Sequence, residues 1–93
     1  MLDREEAERR AAEFLAAESK SWGRSCLVRI IPEYCFTDGG DFIAPYDHVD
    51  YLDHGHEDMQ LGGNLPVAVD LKTGSCRFVD WEEADGFMER DLL

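Results

Sequence analysis

The stretch from Gly62 to Gly74, Gly-Gly-Asn-Leu-Pro-Val-Ala-Val-Asp-Leu-Lys-Thr-Gly, constrains the fold more than any other part of the chain. Gly62, Gly63 and Asn64 leave the backbone free to turn, and Pro66 fixes φ at the entry to an extended run. In that run Val67, Val69 and Leu71 alternate with Ala68 and Asp70, the period of two that a strand requires. Lys72-Thr73-Gly74 supplies a tight turn, and Ser75 to Val79 resumes the extended pattern, so the segment predicts a β-hairpin. A hairpin alone is marginal in water, and the remaining chain must bring further strands and a helix to cover its apolar face.

With 93 residues the chain fits one domain with a single core, for which one sheet and one covering layer suffice. Ten aromatic side chains and a 44% hydrophobic fraction indicate a folded globule, while a net charge of -12 makes its surface strongly acidic. Such a charge repels nucleic-acid phosphates and anionic lipid and attracts basic partners, which sets DNA, RNA and membrane binding aside. The N-terminus, Met1-Leu2-Asp3-Arg4-Glu5-Glu6, has neither the basic nor the apolar region of a secretion signal, and no apolar run reaches membrane-spanning length. A cytoplasmic protein is expected. Cys26, Cys35 and Cys76 lack any C-x-x-C spacing, which argues against a disulfide scaffold or zinc knuckle and for reduced, mostly buried thiols.

Asp3 and Glu6 have the spacing of a capping box, and Ala7, Ala11, Phe14 and Leu15 fall on one helical face, predicting a first helix to about Ser21. Glu5 with Arg9 and Glu6 with Arg10 stand at the supportive i,i+4 spacing on the solvated face. Gly23 is the expected C-terminal cap and Trp22 an apolar body returning to the core. Ser25 to Tyr34, with Cys26-Leu27-Val28-Arg29-Ile30-Ile31 at its centre, predicts a strand. Thr37-Asp38-Gly39-Gly40 would turn it back into Asp41-Phe42-Ile43-Ala44 as a second hairpin. Pro45 removes a ladder donor, so the strand should end, bulge or lie on an edge there. Asp47 to Met59 reads as a surface excursion with a short helical turn in its middle. Asp80 and Glu83 repeat the capping-box spacing and open a final acidic helix from about Trp81 to Arg90. The fold expected is α+β: an N-terminal helix packed on an antiparallel sheet of about four strands, with a short C-terminal helix.

In this order of elements the chain resembles the immunity protein 35 family of bacterial polymorphic toxin systems. The residues that carry the likeness are Ala7, Ala11, Ala12, Phe14 and Leu15; Phe42 and Tyr46; Tyr51 and Leu52; Gly63-Asn64-Leu65-Pro66-Val67-Ala68-Val69-Asp70; and Thr73-Gly74. The resemblance implies a small cytoplasmic antitoxin that binds a cognate toxin domain and blocks it without performing chemistry or using a cofactor. The charge pattern fits independently, because Ile30 to Leu71 holds no Lys or Arg while its acids include Asp38, Asp41, Asp47, Asp50, Asp53, Glu57 and Asp58. A one-signed face of this kind speeds encounter with a basic cleft on a partner, and Tyr46 and Tyr51 would serve as amphipathic anchors among the carboxylates. A solvated acidic face with no partner is the plain alternative.

Rival chemistry is thinner. His48, Asp53, His54, His56 and Asp58 include metal-ligand types, but their spacing matches no standard zinc or nickel site. A Cys-His nucleophile would need Cys26, Cys35 or Cys76 beside an imidazole, and two of these lie in strand patterns where burial makes thiols inert. Gly62-Gly63 lacks the Lys-Ser/Thr of a phosphate-binding loop. A chaperone-like or general protein-interaction module is the alternative function, and a small metal-dependent enzyme a third.

Overall fold

The computed structural model of the protein describes residues 1–22, 27–61 and 64–93. The first helix, α1 (Arg4–Ser19), starts where Asp3 accepts a hydrogen bond from the Glu6 backbone N–H at 2.8 Å. Only half of the expected capping box forms, because the Glu6 carboxylate turns outward to Arg9 and Arg10. The helix stops at Ser19 rather than Ser21, and the Gly23 expected to cap it lies outside the described residues. Ala7, Ala11 and Leu15 are buried along one stripe, with Phe14 half-buried beside them.

Among the described residues six strands succeed it: β1 (Val28–Ile30), β2 (Phe36–Asp38), β3 (Asp41–Ala44), β4 (Tyr46–His48), β5 (Val67–Asp70) and β6 (Cys76–Phe78). The β5–β6 hairpin is as expected, with Gly74 at φ +80° in its turn and the Asp70 carboxylate accepting from Lys72 and Thr73 N–H. These strands join β3 and β2 in an antiparallel sheet of order β2-β3-β5-β6. The sequence pattern predicted that β1 would pair with β3, and it does not. Pro32 begins a 3-10 turn at Pro32–Tyr34 that redirects the chain, so that β2 takes the hairpin position opposite β3. β1 pairs instead with β4 as a separate two-stranded sheet. Pro45 stands between β3 and β4, has no N–H to give a ladder, and accepts the Ile31 N–H through its carbonyl at 2.9 Å.

The period of two in β3 and β5 sends side chains into two cores. Phe42, Ala44, Val67 and Val69 pack with α1, while Ile43 and Ala68 pack with Val79 and with Ala84 and Phe87 of α3 (Trp81–Glu89). The four-stranded sheet is therefore covered on both faces, where a single covering layer was expected. α3 opens with a complete capping box, the Asp80 carboxylate taking the Glu83 N–H at 2.8 Å and the Glu83 carboxylate taking the Asp80 N–H at 3.3 Å. The remaining helix, α2 (Val49–His54), is the short turn expected within the acidic segment, and it ends on Gly55 at φ +69°. The start of that segment is no surface excursion, for Asp47 and His48 are buried in β4. Among the described residues no helix is long and apolar enough to cross a membrane.

Candidate interaction surface

Among the described residues, three arginines from other parts of the chain pair with carboxylates of the acidic middle segment. Arg29 pairs with Asp53 at 2.7 Å, Arg77 with Asp41 at 3.3 Å and with Glu83 at 2.7 Å, and Arg90 with Asp38 at 3.1 Å. A run of one sign in sequence is thus partly neutralised in space. The guanidinium of Arg29 holds the Asp53 carboxyl below its ordinary pKa, and that of Arg77 does the same to Glu83. Asp38, Asp41 and Asp53 are consequently braces between elements. Tyr46 is also withdrawn from the surface, since it is buried and packs its ring 6.0 Å from Trp22 and 6.1 Å from Phe78.

The other anticipated residues gather around one cleft. α2 and a further 3-10 turn (Glu57–Met59) stand opposite β1 and the Pro32–Tyr34 turn, enclosing a cleft of about 570 Å³. Asp47, Tyr51 and Glu57 line it, together with Arg29, Glu33, Tyr34 and Gln60, while Asp50 and Asp58 lie on the same acidic arm. Asp47 is the innermost acid. Its Oδ1 accepts from the His48 N–H at 2.7 Å and from the Leu61 N–H at 2.8 Å, which pins the chain after the arm back onto β4. Tyr34 escaped the sequence analysis because it was read as the end of a strand, and Glu33 counted there only as one acid of the run from Ile30 to Leu71. Pro32 was the available signal that the chain turns there and presents them.

The three histidines are not gathered into one cluster. His48 is buried and its Nδ1 accepts from the Asp50 N–H at 3.0 Å, while the rings of His54 and His56 lie 6.2 Å apart. Among the described residues no three metal-ligating side chains come together. Burial pushes the Cys35 thiol up to about 11 and raises that of Cys76, so neither is a poised nucleophile; Cys26 lies outside the described residues.

A second feature is apolar. Trp22, Tyr46, Leu65, Phe78 and Trp81 line a shallow groove in which Trp81 is 59% exposed. Comparison with family models, with curated proteins and with solved structures returns no match.

Proposed function

We propose that this chain is a binding antagonist of the immunity type, which occupies a basic surface of a cognate toxin domain in the cytoplasm and acts by occlusion, without catalysis. The observation that carries the reading is the cleft walled by Glu33, Asp47 and Glu57 beside the tyrosines Tyr34 and Tyr51. Carboxylates accelerate encounter with a positive partner, and tyrosines contribute contact area at small entropic cost. A net charge of -12 extends that attraction beyond the cleft itself. The resemblance to immunity protein 35 points the same way.

The test is to capture the binding partner from the native host on immobilised protein, identify it, and express it alone and with this chain. A single basic protein that arrests growth alone, and is silenced by co-expression, is the expected result. Its binding should weaken at least tenfold between low and physiological salt. Captured proteins that leave growth unaffected, or toxicity that co-expression does not relieve, overturn the reading.

One observation favours a general protein-interaction module instead. Trp81, Leu27 and Tyr34 are exposed by 59%, 61% and 63%, and apolar side chains of that size bind unfolded segments with little selectivity. Protection of unrelated clients from aggregation at equimolar protein would mark that function.

A further inference from the structure

We propose that the cleft between the acidic arm and the Pro32–Tyr34 turn is a receptor for one arginine side chain of the partner protein, with the Asp47 carboxylate as its inner acceptor. This rests on the binding function proposed above and names the group recognised.

Asp47 is the reason to look for a ligand here. Only 7% of the residue is exposed, and it lines the cleft. Both of its hydrogen bonds, from His48 N–H and Leu61 N–H, arrive at Oδ1. Among the described residues Oδ2 receives none, and since no fully buried side-chain oxygen there lacks a partner, Oδ2 keeps some solvent access on a residue that lines the cleft. A carboxylate oxygen so placed is a strong acceptor held rigidly by two backbone donors, and it gains most from a charged donor that enters from solvent.

The walls select the type of cation. Glu33 and Glu57 add negative charge at the rim, and Tyr34 and Tyr51 offer ring surface. Arg29 lines the cleft too, but its Nε and Nη2 are turned to Asp53 and its Nη1 to the Ile30 carbonyl, so it does not fill the Asp47 acceptor. A guanidinium is planar, weakly hydrated and able to stack on aromatic rings while donating from its edge, whereas an ammonium keeps its water more tightly. The carboxylates and tyrosines together therefore favour arginine over lysine.

The experiment is a titration of the isotopically labelled protein with N-acetyl-arginine amide, read out by amide chemical shifts, with N-acetyl-lysine amide in parallel. Saturable shifts on the order of millimolar arginine probe, confined to the arm and the Pro32–Tyr34 turn and several-fold weaker for lysine, are expected. Asp47→Asn keeps an oxygen for the two backbone donors and should weaken the arginine probe about tenfold. The double variant Glu33→Gln, Glu57→Gln leaves the buried bonds untouched and should weaken it about threefold. Shifts that do not saturate, equal response to lysine, or unchanged affinity in the double variant overturn the proposal. The probe needs no toxin, so a chain that binds arginine in the cleft but silences no toxic partner would retain this inference and lose only the immunity function.

Discussion

The Arg29 guanidinium on β1 clasps the Asp53 carboxylate on α2, with Nη2 2.7 Å from Oδ1 and Nε 3.2 Å from both carboxylate oxygens. Twenty-four positions separate the two residues, so the pair fastens the acidic arm to the small sheet that carries it.

This clasp and the Arg77–Glu83 pair make part of the stability depend on pH. Both carboxyls have folded pKa values below their unfolded ones, so their contribution is complete above the ordinary carboxylate range and is lost as pH falls through the lower folded values. The double variant Arg29→Ala, Arg77→Ala should therefore be less stable than the parent at pH 7, with the gap closing below about pH 4. Calorimetric melting from pH 7 to pH 2 reads this directly. A gap that is constant across the range contradicts it.

Phe42 is 1% exposed at the centre of the sheet face under α1, with the Arg4 guanidinium 5.9 Å from its ring centroid. Phe42→Ala should cost about 3–5 kcal/mol, a large share of the stability of a domain this size. Urea unfolding gives the value, and a loss below about 2 kcal/mol would mean that the core collapses around the gap.

At the β5–β6 turn, Gly74 has φ +80°, and a Cβ there would collide with Arg10 Nη1. Gly74→Ala must strain the backbone and displace the Arg10 side chain from its 3.2 Å contact with Glu6. About 1–2 kcal/mol of destabilisation is expected, most of it from the left-handed backbone, since the arginine end is flexible. Combining Gly74→Ala with Arg10→Ala should recover only a minor part, as a double-mutant cycle would reveal.

The Cys35 thiol, pushed up to about 11 from 9.0 by burial, should react slowly with alkylating agents. In a Cys26→Ser, Cys76→Ser background its thiolate fraction near neutral pH is about a hundredfold below that of an unperturbed thiol. Iodoacetamide labelling combined with mass spectrometry should show a correspondingly slow rate that jumps on unfolding. Equal rates for folded and unfolded protein would exclude burial as the cause.

The sequence was legible where local chemistry and tertiary packing agree. Pro66, the alternation from Val67 to Leu71 and Gly74 define the β5–β6 hairpin, and Asp80 with Glu83 marks the start of α3. Pairing over distance was not legible. The β-branched pattern at Val28–Ile30 matches a hairpin partner for Phe42, and nothing within it reveals that Pro32 and Pro45 hand it to Tyr46–His48. The candidate surface was readable as charge but not as geometry. Asp47 looked like one acid among many until its bonds to His48 N–H and Leu61 N–H placed it inside the cleft, and Asp38, Asp41 and Asp53 looked available until Arg90, Arg77 and Arg29 reached them.

The proline joint between β3 and β4 divides labour within one small molecule. Both sheets supply cohesion, since Ile30 and Tyr46 share a core with Phe42 and Val69, whereas Tyr51, Glu57 and Glu33 on the cleft's rim belong to neither core. Exchanging those rim residues would thus leave the scaffold's melting behaviour nearly unaltered, so the chemistry of the cleft can be rewritten without rebuilding the molecule.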